Sequence, residues 1–368
     1  MKKVVFCCPS LIMGGAEKVL VAYLNELGKL NKYDIRLVNY EKSDKMFLYS
    51  QIKVPFKYFY FDLRKEKPKN FIAKKIWRIK RHYFIKKVFK EADVVIDWLD
   101  GGFYRFISDF KRKKISWIHS AYTHFRDNIQ KDFSNYDALV CLSDSFKNDL
   151  EADEPKMHGI VHRIYNPFDF EKIEQLCENN SLLTLQDKEL LKENYYIHLS
   201  RIAQDKDLTT LIFGYKEFIQ KTHLTDKLYI VGSGELETHY QSLIQKEGME
   251  KQIQMLGQKN NPYPFVKKAK ALILSSKAEG LPNVIIEAMV CRTPVIASNC
   301  KSGIGELCLN GKGGFLYKPG DKEALCQALI DFNKNPEAVK DHVENAQKQL
   351  DRFKIENIIP KVEELIDG

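Results

Sequence analysis

Short apolar runs separated by longer amphipathic stretches set the rhythm of this chain. Lys3–Cys8, Ile35–Asn39, Val94–Trp98, Ile115–Ile118, Ala138–Leu142 and Ile160–Tyr165 form a first series of such runs. Tyr195–Leu199, Lys227–Val231, Ile253–Gly257, Ala271–Leu274, Pro294–Ala297 and Phe315–Tyr317 form a second. Continuous apolar runs, in place of apolar–polar alternation, predict strands covered on both faces. Between them, Ala16–Leu27 places Val19, Leu20, Tyr23, Leu24 and Leu27 on one helical face, and Leu208–Ile219, Asp321–Phe332, Pro336–Leu350 and Phe353–Ile366 also read as helices. Strands alternating with helices argue for parallel sheets joined by crossovers, an α/β protein.

Composition narrows the class. With 368 residues, 44% of them hydrophobic and 29% charged, the chain is long enough for two globular domains and is not disordered. Lys2 and Lys3 precede an apolar stretch, but Gly14-Gly15 and Glu17-Lys18 interrupt it early, so export is not expected. No segment approaches the roughly 18 to 20 apolar residues of a membrane span. The eight cysteines include no C-x-x-C pair and read as reduced cytosolic thiols, not as a metal site or disulfide framework.

The net charge of +9 is unevenly spread. Residues 53–90 hold fourteen Lys and Arg against Asp62 and Glu66, so this segment carries +12 and the rest of the chain −3. Ten aromatic residues lie in the same segment. Basic and aromatic residues together suit an anionic membrane surface, where each Lys or Arg contributes on the order of 1 kcal/mol. On a helical projection Ile72, Ile76, Ile79 and Tyr83 share one face while Trp77, Phe84 and Val88 form another, so one stripe can pack on the domain as the other meets lipid. A solvated basic face over a packed helix is the plainer reading. Nucleic acid is not an expected partner, because no nucleic-acid motif accompanies the charge.

Candidate chemistry gathers at the ends of predicted strands. After Ala271–Leu274 comes Ser276-Lys277-Ala278-Glu279-Gly280-Leu281-Pro282-Asn283, and then a helix containing Glu287, eight residues beyond Glu279. Amides opening that helix favour an anion, and the two carboxylates can bond hydroxyl groups, so the stretch fits a ligand with both phosphate and sugar. Arg201 ends the Tyr195 strand and Lys206 follows five residues later, a pair able to hold a diphosphate. Gly232-Ser233-Gly234 closes the next strand but lacks the third glycine of the dinucleotide fingerprint. In the first half, Gly14-Gly15 precedes a helix, His119 directly follows a strand, and Asp97 and Asp100 occupy a similar strand end.

Glu-Gly-Leu-Pro-Asn-Val-Ile-Ile-Glu-Ala-Met, running on through Thr293-Pro294-Val295-Ile296-Ala297, resembles the spaced-glutamate signature of glycosyltransferase family 4, retaining nucleotide-sugar enzymes of the GT-B fold. Gly-Gly-Ala-Glu-Lys at 14–18, Arg201 with Lys206, and Tyr165-Asn166-Pro167-Phe168-Asp169 are similar to further segments of that family, with Ser200 and Asp207 departing from its glycines. The resemblance implies two Rossmann-like parallel-sheet domains facing a central cleft. Residues 1–166 would form the acceptor-binding domain, with a C-terminal helix 353–368 packing back on it. Residues 167–194 would be a linker, and 195–350 the nucleotide-sugar-binding domain. It implies donor contacts from Gly14, Gly15, Arg201, Lys206, Gly232, Gly234, Glu279, Gly280, Leu281, Pro282, Asn283 and Glu287, and a catalytic set of Glu279, His119, Arg201 and Lys206. Ser302-Gly303-Ile304-Gly305-Glu306 would offer amides to the phosphates. Asp97 and Asp100, with His119, are the acceptor candidates.

The expected activity is therefore retaining transfer of a sugar from a nucleotide diphosphate sugar, UDP-linked, to a hydroxyl of a glycan or lipid-linked acceptor, in bacterial surface polysaccharide or lipopolysaccharide synthesis. No metal or other cofactor is expected, since no Asp-x-Asp pair fit for a metal–diphosphate bridge is present. The expected place is the cytoplasmic face of the inner membrane, as a peripheral protein held through residues 53–90. A nucleotide-sugar epimerase of related fold and a non-catalytic basic membrane-surface protein are the alternatives.

Overall fold

The computed structural model describes residues 1–12, 14–40, 42–43, 46–60, 70–128 and 133–368. The chain divides into two units, Met1–Pro167 with Ile355–Gly368, and Phe168–Lys354.

Among the described residues, the first unit is built on a parallel sheet of β1 (Lys2–Cys8), β2 (Tyr33–Asn39), β3 (Lys57–Tyr60), β4 (Val94–Asp97), β5 (Lys113–Trp117), β6 (Ala138–Cys141) and β7 (Val161–Arg163). Their order is β3-β2-β1-β4-β5-β6-β7. Val4 of β1 pairs with Ile35 on one side and Val94 on the other, which buries this strand between neighbours. That is why Val4–Cys8 is an unbroken apolar run. Trp98, just past β4, and Trp117 of β5 are fully buried against Tyr23, with ring centroids 4.9 to 5.5 Å apart. Burial of side chains this large contributes on the order of 2–3 kcal/mol each. The last helix, Ile355–Asp367, belongs to this unit, tied down by Lys2 and Lys32 on Asp367 at 3.1 and 2.6 Å.

The second unit repeats the plan with β8 (Tyr195–Leu199), β9 (Lys227–Val231), β10 (Ile253–Gly257), β11 (Leu272–Leu274), β12 (Val295–Ser298) and β13 (Phe315–Tyr317), in the order β10-β9-β8-β11-β12-β13. The Leu208–Thr222 helix buries Leu208, Leu211, Ile212, Tyr215 and Phe218, and the Lys322–Lys334 helix buries Leu325, Leu329 and Phe332 in the same core. In each sheet the chain reverses its direction of winding once, between β1 and β4 and between β8 and β11. Ligands of such sheets bind at the carboxyl ends of strands flanking that reversal.

Two segments depart from the sequence reading. Residues 167–194 are not a free linker: Phe170–Glu178 and Leu185–Leu190 are helices of the second unit. Ile173 and Cys177, one turn apart, bury against the rest of that unit, and Asp187 closes a capping box with Thr184. Within 53–90, Lys57–Tyr60 is an edge strand, and Phe71–Lys90 is a single helix whose N-terminus is capped by the Asn70 side chain. Residues 61–69 lie outside the described residues. Val88 is buried, Trp77 and Phe84 are half-buried, and Arg81 stacks on Trp77 and Phe106 at 5.1 and 5.0 Å. Ile72, Ile76, Ile79 and Tyr83 are exposed.

Candidate functional site

Within the second unit, Arg201, Lys206, Gly232, Gly234 and Glu279 lie in the loops that follow β8, β9 and β11. Arg201 follows β8 with its side chain largely exposed, and Lys206 ends a short 3-10 turn with its side chain mostly covered. Two glycines hold this loop. A Cβ on Gly232, where φ is +138°, would lie 1.8 Å from the Ser200 carbonyl oxygen, and one on Gly234 would lie 2.2 Å from that of Ile202. The Gly232-Ser233-Gly234 turn thus presses backbone on backbone, and Ile202 N donates to Ser233 O at 2.9 Å. Ser200, which stands where the family has glycine, is accommodated by His198. That buried ring bonds Ser200 Oγ through Nε2 at 2.7 Å and Ile273 O through Nδ1 at 2.9 Å, and burial pushes its pKa down to about 4. Asp207, the other departure, adopts a left-handed conformation with φ +48° and caps the next helix by accepting from Thr210 N and Oγ1.

Lys206 and Glu279 meet across β8 and β11. The Lys206 ammonium donates to Glu279 Oε1 at 2.8 Å and pairs with Asp205 at 3.1 Å, while Ser276 Oγ donates to the same Glu279 oxygen at 2.6 Å. Burial pulls the ammonium pKa down, but Glu279 and Asp205 outweigh it and the pKa ends above its ordinary value, so the lysine stays charged. Asp205 also lies 3.8 Å from Arg201, which makes it the bridge between the two cations.

Beyond Glu279, Leu281 and Pro282 are buried, and Pro282 is the N-cap, not the first turn, of the Asn283–Val290 helix. Pro282 itself offers no side-chain cap. Gly280 O instead accepts from Gly303 N at 3.1 Å, and Ser302 Oγ accepts from Ile304 N at 3.1 Å. Two amides of the Ser302–Glu306 loop are therefore already satisfied within the chain, so they are not free for phosphate. Glu287 lies on the second turn of the helix and accepts from the Tyr263 hydroxyl at 3.2 Å. Burial and then the Glu287 charge push the Tyr263 pKa up, keeping it a hydrogen-bond donor.

In the first unit, His119 and Asp100 come together and Asp97 separates from them. Asp100, at φ +47°, accepts from His119 N at 2.9 Å and from Ser120 N and Oγ at 3.3 and 3.2 Å. Its pKa is raised by burial. The His119 ring packs on Trp98 with centroids 4.9 Å apart, burial pushes its pKa down to about 3, and its enclosed Nε2 has no hydrogen-bond partner among the described residues. An orphaned buried nitrogen is a costly feature in a folded chain unless something else meets it. Asp97 is fully buried and accepts from Phe103 N at 3.0 Å and Tyr136 Oη at 2.9 Å, so it holds the turn after β4 from beneath and is removed from the acceptor candidates. Gly14 caps the Gly15–Lys29 helix, and the Glu17 carboxylate folds back over it: a Cβ there would lie 2.0 Å from Glu17 Oε2. Met13 lies outside the described residues.

Residues 184–349 match the family model described as Glycosyl transferases group 1. Over those residues the chain is similar to the group 1 glycosyl transferases. The match spans the region holding Arg201, Lys206, Glu279 and Glu287, so the ion-paired constellation lies within the matched residues. Among relatives, the chain is 30% identical over 271 residues to an uncharacterized glycosyltransferase of Methanocaldococcus jannaschii, covering 65% of each chain. It is 25% identical over 370 residues to the Campylobacter jejuni GalNAc-α-(1→4)-GalNAc-α-(1→3)-diNAcBac-PP-undecaprenol α-1,4-N-acetyl-D-galactosaminyltransferase, covering 97% of this chain and 96% of that one. The crystal structure of Anabaena HepE with UDP and glucose superimposes with a TM-score of 0.79 at 19% identity over the whole of both chains. That likeness gives the fold, which is GT-B.

The residues singled out from the sequence omit Asp205, Tyr263 and His198, which the structure places against Lys206, Glu287 and Ser200, and give Ser276 no role of its own. Asp205 sits between two flagged residues and was within reach of the sequence. Tyr263 and His198 act through contacts formed only on folding. Among the described residues there is no helix long and apolar enough to cross a membrane, and no group of three or more His, Cys, Asp or Glu placed to hold a metal.

Proposed function

We propose that this chain moves a sugar from a nucleotide diphosphate sugar, UDP-linked, to a hydroxyl of a glycan or lipid-linked acceptor with retention of anomeric configuration, in bacterial surface polysaccharide or lipopolysaccharide synthesis. The observation that carries this reading is the Lys206–Glu279 pair at 2.8 Å at the strand ends of the region similar to the group 1 glycosyl transferases, with Arg201 beside it. The bond between the anomeric carbon and the diphosphate oxygen breaks and a bond to the acceptor oxygen forms on the same face. The acceptor proton passes to the departing phosphate oxygen. Arg201 and Lys206 neutralise the diphosphate, and the reading assigns that work to side chains and none to a metal ion. Glu279 orients donor hydroxyls and Glu287 the ribose. His119, neutral at physiological pH, offers Nε2 to a sugar hydroxyl.

A lipid-linked acceptor is supported by the printed activity of the Campylobacter relative, and a UDP donor by the ligand of the Anabaena structure. The same reading takes the cytoplasmic face of the inner membrane as the place where such an acceptor is met. The test is a panel of nucleotide sugars read by thermal shift and nucleotide release, with Arg201→Ala and Glu279→Ala beside the wild type and EDTA in a parallel series. A selective shift lost in both variants and indifferent to EDTA is expected. No shift with any nucleotide sugar overturns the donor assignment, and activity abolished by EDTA overturns its metal independence.

A further inference from the structure

The eight cysteines of the chain are free thiols, and two of them touch. Cys177 Sγ and Cys291 Sγ lie 3.0 Å apart, both inside the second unit. Cys177 stands in the last turn of the Phe170–Glu178 helix, and Cys291 is the C-cap of the Asn283–Val290 helix. They are 114 positions apart in the chain, so the fold and not the local sequence brings them together. They are also the most accessible of the eight, at 5 and 7%, against 4% for Cys300 and 0% for Cys7, Cys8, Cys141, Cys308 and Cys326. That opening admits a water-sized molecule and excludes the thiol of another protein.

The surroundings fix the pair. Asn261 Nδ2 donates to Leu176 O at 2.8 Å and to Asn179 O at 3.2 Å, which ties the end of the Cys177 helix to the loop before Tyr263. Thr293 Oγ1 donates to Val266 O at 2.8 Å and ties the turn after Cys291 to the Tyr263–Lys268 helix. The bond from the Cys291 thiol and the Lys267 charge outweigh burial and hold Cys177 below an ordinary thiol, while that same bond and burial push Cys291 up. Thiolate character therefore falls on Cys177, which makes it the attacking sulfur and Cys291 the resolving one. A disulfide needs its sulfurs about 2.05 Å apart, so closure asks for about 1 Å of travel. The donor residues share in that movement. Cys291 N donates to Glu287 O at 3.1 Å, one helical turn back, and the Tyr263 hydroxyl that donates to Glu287 lies within electrostatic reach of both sulfurs.

We propose that Cys177 and Cys291 are a modification site, which hydrogen peroxide converts to a reversible intrachain disulfide that displaces the Glu287 turn and weakens nucleotide-sugar binding. The effect on the donor rests on the ribose role given to Glu287 above; the disulfide itself does not. The Cys177 sulfur attacks a peroxide oxygen, the O–O bond breaks, and one water leaves as the sulfenic acid forms. The Cys291 sulfur then attacks the Cys177 sulfur, the S–O bond breaks and a second water leaves. Both thiol protons end in the waters, and two electrons pass from the sulfurs to peroxide. A dithiol reductant reverses the step by exchange.

The experiment treats the full chain with hydrogen peroxide and then with dithiothreitol, for wild type, Cys177→Ala and Cys291→Ala. Free thiols are alkylated and the peptides mapped by mass, and melting and UDP-sugar titration run on the same samples. Expected in wild type are a linked 177–291 peptide, the loss of two alkylatable thiols, and a melting temperature raised by several degrees because the crosslink closes a long loop. Donor affinity is expected to fall several-fold, and dithiothreitol to restore every value. Neither variant shows these changes, and mapping of wild type decides the linkage whatever the stability of the alanine chains. Peroxide-treated wild type without the 177–291 link overturns the inference, as does sulfinic acid at Cys177 with Cys291 still alkylatable. A disulfide that leaves donor affinity unchanged overturns the coupling to Glu287. A reduced chain that binds no nucleotide sugar but forms the disulfide removes the sugar-transfer reading and leaves the modification site standing.

Discussion

Three glycines of the second unit separate backbone strain from steric clash and show how the donor loop is held. At Gly248, with φ +66°, an added Cβ meets nothing within 4 Å, so Gly248→Ala introduces strain alone. A left-handed Ala costs about 1–2 kcal/mol, and the stiffer unfolded chain returns about 0.4–1, for a net loss of about 1 kcal/mol. At Gly234, where the Cβ would stand 2.2 Å from Ile202 O and 2.7 Å from its carbonyl carbon, the penalty is clash, about 1–3 kcal/mol for a backbone forced to move. Gly232→Ala combines both, with φ +138° and a Cβ 1.8 Å from Ser200 O, and the sum is about 2–4 kcal/mol. The atoms that must yield belong to Ser200, so Arg201 moves with them.

Calorimetric melting of the three variants, with UDP-sugar thermal shift on each, reads both effects. For a unit of this size about 1 kcal/mol corresponds to roughly 2–4 °C. The expected order of damage is Gly232→Ala, then Gly234→Ala, then Gly248→Ala, with donor binding lost in the first, weakened in the second and unchanged in the third. A Gly232→Ala protein as stable as Gly248→Ala would refute the close-approach account of the turn. So would a destabilised one that keeps full donor affinity, since it would uncouple the turn from Arg201.

Lys206→Ala and Glu279→Gln are each expected to reduce turnover about 10²–10³-fold, and the double variant less than the product of the two, because both act on one ion pair; initial rates of nucleotide release measure this. Asp100→Ala leaves the His119 and Ser120 amides without their acceptor, and should cost about 1–3 kcal/mol in urea unfolding and lower turnover while leaving UDP-sugar affinity of the second unit unchanged. His119 and His198 are pushed down to about 3 and about 4, below the roughly 6.5 of an unfolded histidine, so their neutral forms favour the folded state. Between those values the unfolded chain binds more protons, hence stability is full above about pH 6.5 and falls as pH drops toward 4. A stability–pH profile that is flat from 7 to 4.5, or unchanged in slope by His198→Asn, would contradict that placement.

Much of the fold was legible because burial on both faces leaves a plain mark. The inner strands β4, β6, β11 and β12 are almost wholly apolar and buried, and β1 and β9 become so after their opening lysines. The edge strand Lys57–Tyr60 was hidden by its own position: an edge needs no second apolar face, and its lysine and tyrosines merged into a basic, aromatic segment. Segment 167–194 escaped for a related reason, since only Ile173 and Cys177 of the Phe170–Glu178 helix are buried, too few to stand out among charges. The site divides similarly. Arg201, Lys206 and Glu279 were readable because a charged residue at a strand end has few places to go. Asp97 fits the same rule and breaks it, since its carboxylate turned inward to Phe103 N and Tyr136, 39 residues away. Nothing local distinguishes a strand-end acid that caps a turn from one that meets a ligand.

The Lys206–Glu279 contact bears on what Glu279 does. Both of its hydrogen bonds, from Lys206 Nζ and Ser276 Oγ, fall on Oε1, which leaves Oε2 as an acceptor for a ligand hydroxyl. A carboxylate whose charge is drawn toward an ammonium and a hydroxyl on one oxygen is a weakened nucleophile but a well-fixed acceptor. The same contact readies Lys206, because its neighbours hold it charged in a largely covered position without saturating it as a diphosphate would. On the proposed donor reading, a diphosphate would give the lysine a partner of higher charge than either carboxylate, with Asp205 left to balance Arg201. The free site is therefore a set of charges already neutralised among themselves. That arrangement keeps a cluster of two cations and two carboxylates stable in the absence of substrate, and it requires the ligand to compete for Lys206 on entry.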